Sequence, residues 1–300
     1  MTVRRIAFIG ALALALSAAR AAAQAPTPGP APARTPAVAA SAPAAPARAA
    51  EKKTEPSPAA IKEGRALLAR FVAGLGGAEK VRSVHDVWTR GLVTAKTDQG
   101  DMSMDVQTTM LFPDRMSQQV DGPFGRMTMI ATPGGAFIVG SSSVQDLPTP
   151  MGDELLRQVR RVPLLVAQRA DDPRLLVAAA GTEKIGDVDA LILDVTNDGA
   201  SVRWFLNPTN LRILRSSYTS NGVQGSAAVV SDYSDYRVVD GFPVAFHLEV
   251  STNGKTDQVL ALEECKINPG ADAKLFEKPV FPTPAPTIVI PPVATPAAKP

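Results

Sequence analysis

The side chains that most often carry out catalysis are few in this chain of 300 residues, and they lie far apart. Its only histidines are His85 and His247, and its only cysteine is Cys265. Nucleophilic catalysis needs a base beside the nucleophile and a third group that orients the base, and no such set occurs. Adjacent acidic pairs, at 171–172 and 263–264, would point to opposite faces of a strand. The sequence therefore predicts a protein that is not an enzyme.

Motifs that bind metals, phosphates or cofactors do not occur either. The chain has no HExxH, no GxSxG, no Walker loop and no Cys/His spacing suited to zinc. We therefore predict no metal and no cofactor. A single cysteine cannot form an internal disulfide, so the fold must depend on its hydrophobic core. We expect Cys265 to be a small buried side chain in a late strand.

Methionine is the residue type whose positions suggest binding. Apart from Met1, every methionine lies between residues 102 and 151. Alternation places the even-numbered residues of 101–111 on one strand face, and Met127 and Met129 of the strand near 126–132 on one face as well. Methionine is flexible and polarizable, and it adapts to varied apolar ligands. The candidate wall of a hydrophobic cavity is Met102, Met104, Val106, Met110, Met127 and Met129. The alternative is that these residues form ordinary core beneath the helices.

Two helical segments are expected to cover this surface. The first begins at Pro58, with Ser57 as its N-cap. The second begins near Thr149 and ends or kinks at Pro163. Their apolar stripes, which recur at helical spacing, contain Leu68, Phe71, Leu155, Leu156 and Val159. These stripes form either a fixed cap on the sheet or a movable lid over a cavity.

Most of the remaining sequence alternates with period two, which is typical of half-buried strands. Turn signals separate the runs, and Asn253–Gly254 is the strongest hairpin signal among them. Strands are predicted near 84–95, 101–112, 115–121, 126–132, 135–140, 174–184, 188–196, 200–207, 211–219, 226–238, 243–252 and 256–267. Many short strands with tight turns indicate an α+β fold with one antiparallel sheet of about 11–12 strands. A sheet of this size must curl or close.

The two ends of the chain differ from this central part. Residues 1–23 combine Arg4 and Arg5 with an apolar run and a small-residue cleavage site, which predicts a secretory signal peptide. Residues 24–57 are rich in Ala and Pro, which predicts a disordered tether. Residues 280–300 form a Pro-rich tail, so the folded domain is expected at 58–279.

The net charge gives no reason to expect a nucleic-acid partner. The whole chain carries +2, and removing the three arginines of residues 1–23 leaves −1. The basic character therefore belongs to the leader and not to the folded part. After cleavage of the leader we do not expect an integral membrane protein.

The closing part of the domain resembles a known family. The motifs that carry the resemblance are DYSDYR at 232–237, VDGFPV at 239–244, Asn268–Pro269 and LFEKP at 275–279, together with LGGAE at 75–79 near the start. They resemble the bacterial outer-membrane lipoprotein-sorting proteins, the LolA-like family, over about residues 60–279. We interpret these closing motifs as turns and edge closures at the structural end of the sheet, without a site of their own.

The resemblance implies a strongly curved half-barrel whose concave face is covered by helices. It also implies a periplasmic binding or carrier protein for an apolar, acylated ligand such as a lipoprotein or lipid, with the Met-bearing strands as the cavity wall. The functional arginine of the family cannot be placed on this sequence, and the long tether and tail depart from the free carrier. The alternative function is a non-enzymatic periplasmic interaction or sensor module with an envelope protein as partner. Such a module would be similar to envelope-stress regulators or to accessory domains of a metallopeptidase.

Overall fold

The structure, a computed structural model, describes residues 55–123, 125–222 and 225–280. The predicted signal peptide and most of the predicted tether and tail lie outside the described residues. The described part contains four α-helices, α1 (Pro58–Gly74), α2 (Ala78–Arg82), α3 (Thr149–Arg161) and α4 (Pro163–Gln168), and a short 3-10 helix at Ala273–Phe276.

The strands follow one another along the chain with short connections. They are β1 (Asp86–Thr97), β2 (Gly100–Leu111), β3 (Arg115–Gly122), β4 (Gly125–Thr132), β5 (Gly135–Val139), β6 (Val144–Asp146), β7 (Leu176–Ile185), β8 (Val188–Asn197), β9 (Ala200–Leu206), β10 (Ile213–Gly222), β11 (Gly225–Val239), β12 (Phe242–Thr252) and β13 (Lys255–Ile267). The twelve predicted strands are all present, with bounds within three residues of those expected. The prediction of 11–12 strands missed β6, which is too short to show alternation.

All thirteen strands belong to one antiparallel sheet with the order β6-β5-β4-β3-β2-β1-β13-β12-β11-β10-β9-β8-β7. The α+β fold with a single large antiparallel sheet is thus confirmed. The sheet is open, because β6 and β7 lie at its two edges. Its closing strand, β13, pairs with β1 and β12 in the middle of the sheet. The prediction that the closing motifs mark the end of the sheet is therefore wrong, since pairing between the first and last strands is non-local.

The sheet is strongly curved, as contacts of a single helix show. Helix α3 packs against β3, β4 and β5 on one side and against β9 and β10 on the other. These strands are far apart in the sheet order, so one helix can contact both groups only if the sheet bends around it. The helices therefore cover the concave face, as expected for a half-barrel.

Hairpin geometry follows the turn signals in the sequence. Asn253 and Gly254 join β12 to β13 with φ angles of 50° and 81°, the positive values that a tight two-residue hairpin turn requires. Asp240 and Gly241 join β11 to β12 in the same way, with φ angles of 49° and 76°. The predicted turn is not at Asn221–Gly222, because these residues still pair with Ser226 and Gly225 of β11.

The family motif around Asn268 connects the last strand to the first. The Asn268 side-chain carbonyl accepts a hydrogen bond from the backbone N–H of His85 at 2.7 Å, and its amide donates to the Ser83 carbonyl at 2.8 Å. Asp86, which is buried, accepts from the backbone N–H of Ala271 at 2.6 Å. Phe276 then packs against Ile130 and Phe137. This motif therefore closes the fold and takes no part in the concave face.

Helix α1 is seated closely on the sheet. The Ser57 hydroxyl accepts from the backbone N–H of Ala60 at 3.2 Å, which confirms the predicted N-cap. A Cβ added to Gly64 would come within 2.7 Å of the Ala178 backbone in β7, so glycine is required for this approach. Arg65 donates to the Ala170 carbonyl at 2.9 Å. None of the described helices is both long and apolar enough to span a bilayer.

Candidate functional site

The concave face has two halves that differ in how completely they are filled. In the half under α3, methionines of β2, β3 and β4 pack against Leu155 and Val159 of that helix. Met104 is almost fully buried and Met129 has 0 % exposure. We call this the methionine half. Of the six predicted wall residues, Met110 alone borders the cavity described next.

The other half contains a cavity of about 390 Å³. It lies over β10, β11, β12 and β13 and is bounded by the end of α1, the end of α3 and the beginning of α4. Its volume falls within the range of small-molecule sites in proteins. The lining is mainly apolar and includes Phe71, Trp204, Tyr218, Tyr233, Tyr236, Phe242, Leu248, Leu260 and Leu262. We call this region the cavity half.

Aromatic side chains of the cavity half are held in place by bonds to the strands. The Tyr236 hydroxyl donates to the Ile213 carbonyl at 2.7 Å, and the Tyr233 hydroxyl lies 3.0 Å from the Ser216 hydroxyl. Burial raises the pKa of both tyrosines above the ordinary value. The Phe71 and Trp204 rings pack at 5.4 Å between centroids. Because these rings are fixed, they do not collapse into the empty space.

One wall of the site is the polar side of α3, where Glu154, Gln158 and Arg161 share a face at helical spacing. Glu154 accepts from Arg161 at 2.8 Å and from the backbone N–H of Asn221 at 3.2 Å. Arg161 also donates to the Ser201 carbonyl at 3.1 Å, and its guanidinium lies 4.2 Å from the Tyr218 ring centroid. This buried ion pair fixes α3 to β9 and β10.

Gln158 lies between Glu154 and Arg161 along α3, and it lines the cavity. Only 6 % of the residue is exposed. Neither its amide nitrogen nor its amide oxygen has a hydrogen-bond partner among the described residues. A buried polar group without a partner costs about 1–3 kcal/mol, so this side chain is a candidate ligand contact.

The opposite end of the cavity is open to solvent. Gly74 at the end of α1 and Asn210 in the β9–β10 connection are exposed and line it. Arg212 lies beside them with its guanidinium 5.2 Å from the Tyr236 ring centroid. The residues at the α3 end, in contrast, include the buried Gln158, Arg161 and Ser216. The cavity thus has a mouth near Arg212 and an inner end near Gln158.

Cys265 also lines the cavity. It is buried in β13, as expected from the sequence, and burial raises the pKa of its thiol to about 11. The thiol is therefore neutral at physiological pH and a weak nucleophile. The structure also shows no group of three or more His, Cys, Asp or Glu suited to a metal ion within the described residues.

The predicted binding residues are divided between the two halves. Met110 and Phe71 line the cavity. The remaining candidates pack together beneath or within the helices: Met102, Met104, Val106, Met127, Met129, Leu68, Leu155, Leu156 and Val159. Whether these packed residues contact a ligand when the helices move stays a prediction.

Sequence reasoning missed the residues of the closing strands that face the cavity. Tyr233, Leu248 and Leu260 are cross-strand partners on β11, β12 and β13, and all three line it. The alternation of these strands already showed which residues share a face. What the sequence did not show is that these strands lie in the middle of the sheet.

Comparison with known proteins shows likeness in structure but not in sequence. No protein-family model and no curated protein matches the chain. Among solved structures, a DUF1329 family protein from Desulfovibrio piger is similar with a TM-score of 0.50 and 12 % identity, over 73 % of this chain and 97 % of that one.

Two further solved structures bear on the predicted resemblance. A LolA superfamily protein from Nitrosomonas europaea shares 15 % identity at a TM-score of 0.48, over 70 % of this chain and 97 % of that one. An outer membrane lipoprotein-sorting protein domain from Vibrio parahaemolyticus shares 11 % identity at a TM-score of 0.48, over 72 % and 97 %. The fold described above, one curved antiparallel sheet with helices over its concave face, is the architecture that the resemblance implied. At these identities the likeness concerns the fold alone.

Proposed function

We propose that this chain is a periplasmic binding or carrier protein that holds an apolar, acylated ligand in the cavity half. The ligand class is the acyl part of a lipoprotein or a lipid. In this role the protein shields hydrocarbon from water and performs no covalent chemistry. The predicted signal peptide of residues 1–23 supports a periplasmic location.

The observation that carries the proposal is the apolar cavity under the helices. Aliphatic and aromatic side chains of β11, β12 and β13 form its floor, and Phe71 and Leu164 approach from the helices. Transfer of each methylene group from water to such a surface is favourable by about 0.8 kcal/mol.

Filling the cavity with a larger side chain tests this proposal. Leu248 lines the floor beside its cross-strand partners Tyr233 and Leu260. We expect Leu248→Trp to weaken binding of a fluorescent acyl probe by about tenfold or more, since the indole occupies the space of several methylene groups. The matched control is Leu176→Trp on the edge strand β7, where the side chain is exposed and outside the cavity.

The single cysteine provides a second measurement of ligand binding in the same protein. A bound acyl chain should slow the reaction of Cys265 with a thiol reagent, because this side chain lines the cavity. Native mass spectrometry of protein purified from its own periplasm should then show a bound lipid or acylated peptide. Failure of the wild-type protein to bind any acyl probe would sink the proposal. If the purified protein instead carries a stoichiometric protein partner and no lipid, the result would support the alternative function as an interaction or sensor module.

A further inference from the structure

Gln158 lines the inner end of the cavity, and no group of the described residues satisfies its side-chain amide. Both polar atoms of Gln158 are buried and lack partners within the described residues. Most buried polar side chains have at least one hydrogen-bond partner. An amide can both donate and accept, so its natural partner is a group with a carbonyl oxygen, an N–H, or both.

Charged groups at this end are already engaged. Each donor nitrogen of the Arg161 guanidinium bonds to a protein oxygen: the Ser201 carbonyl, a Glu154 carboxylate oxygen and the Thr219 carbonyl. The face of the guanidinium stacks on Tyr218. An incoming carboxylate would have to break these bonds or remain without a charged partner, and burying an unpaired carboxylate is costly.

The mouth offers different chemistry. Arg212 lies there, half-buried, and no carboxylate lies within ion-pair distance of it among the described residues. An anionic group on a ligand is therefore accommodated at the mouth, where water also solvates it. The two ends of the cavity thus differ in the polar group that each accepts.

We propose that the ligand carries an uncharged carbonyl or amide group that reaches the inner end and pairs with the side-chain amide of Gln158. This inference rests on the proposed function and specifies its ligand as an acyl ester or acyl amide. The rest of the ligand is hydrocarbon that contacts the apolar floor. Without ligand, Gln158 lowers the stability of the fold, so its presence is a cost that binding offsets.

The test compares two probes of equal chain length, dodecanamide and dodecanoate, by displacement of a fluorescent acyl probe at pH 8. The variant is Gln158→Leu, with Gln158→Met as a second variant of similar shape. We expect Gln158→Leu to weaken dodecanamide binding about tenfold, the size of one buried hydrogen bond, and to change dodecanoate binding less than about twofold. The melting temperature of the ligand-free variant should not fall.

Gln168→Leu is the matched control. Gln168 lies outside the cavity and donates to the carbonyls of Val81 and Val84 at 3.1 Å and 2.5 Å. Its replacement should lower the melting temperature and leave both probe affinities unchanged. This pattern is the reverse of that expected for Gln158.

The outcomes separate the two proposals. If Gln158→Leu leaves dodecanamide binding unchanged, water satisfies the amide and the inference is overturned. Equal loss for both probes also overturns it, because Gln158 would then only shape the wall. In either case the proposed function stands. If neither probe binds to the wild-type protein, the proposed function fails and the inference fails with it.

Discussion

The methionine half and the cavity half of the concave face are built on the same row of paired residues, yet one is filled and the other is empty. The row runs from Met104 through Val93, Leu260 and Leu248 to Tyr233. Its five strands span about 19 Å at the usual spacing. Met104 and Val93 are buried in packed core away from the cavity. Leu260 belongs to the same core cluster but also borders the cavity, as Leu248 and Tyr233 do.

The difference arises from the helix above the row and from the side chains below it. Over the methionine half, α3 inserts Leu155 and Val159, and flexible methionines adapt to fill the gaps between them. Over the cavity half, the same helix presents Glu154 and Arg161, which hydrogen bonds hold at the wall, and the unpartnered Gln158 between them along the helix. Below, Tyr233 and Tyr236 are held by hydrogen bonds to β10. Rigid side chains on both sides preserve the space.

The largest expected contrast comes from placing a carboxylate in each half. Met129→Glu is expected to cost about 4–5 kcal/mol of unfolding free energy, because it buries an unpaired charge at a site with 0 % exposure. Leu248→Glu should cost about 2 kcal/mol or less, since water in the cavity solvates the carboxylate. Urea denaturation of both variants measures the difference. Equal losses would show that the cavity half is as tightly packed as the methionine half.

Shortening one side chain in each half should also lower the unfolding free energy more in the methionine half than in the cavity half, by a smaller margin. Met104→Ala is expected to lower the unfolding free energy by about 3 kcal/mol, through lost burial and a new cavity. Leu262→Ala should cost about 1 kcal/mol, because one side of this residue already borders empty space. Acyl-probe affinity should respond in the opposite order, with the larger loss for Leu262→Ala. A larger affinity loss for Met104→Ala would place the ligand in the methionine half.

The smallest effect concerns Asp257, next to the cavity residue Gln258 in β13. Burial raises the pKa of Asp257 to about 6. A carboxyl whose pKa is higher in the folded protein stabilises the fold below its unfolded pKa, and this contribution is lost as the pH rises towards 6. Asp257→Asn should therefore raise the stability by about 1 kcal/mol above pH 7, allowing for partial solvent screening, and have little effect near pH 4.

Thermal unfolding of wild type and Asp257→Asn across pH 4 to 8 measures this difference. Lys255 lowers the same pKa, so Lys255→Gln should enlarge the effect. A stability difference that does not vary with pH would mean that the Asp257 carboxyl is fully hydrated in the folded protein.

Local sequence accounts for most of the fold. The twelve longer strands, the Ser57 cap, the turn at Asn253–Gly254 and the two apolar helices follow from alternation, capping and turn chemistry. The short strand β6 could not be predicted, because three residues carry no periodic signal. The central place of β13 could not be predicted either, since pairing of Val93 with Leu260 joins distant parts of the chain.

The candidate site was predictable only in part. The expected Met110 and Phe71 line the cavity, but the polar stripe of α3 at 154, 158 and 161 was missed. Its helical spacing was visible in the sequence as a second stripe beside the apolar one. The absence of a partner for Gln158 was not visible, because it depends on everything that surrounds the side chain in the folded protein.

The sequence by itself determined which residues share a strand face, where most of the turns lie and which segments are helical, because each of these depends on neighbours within a few residues. Only the tertiary structure decided where the concave face is filled and where it is empty. A cavity is the difference between the volume that the curved sheet and its helices enclose and the volume of the side chains inside. That difference depends on the distance between parts such as Phe71, Gln158 and Leu260, which no local pattern specifies.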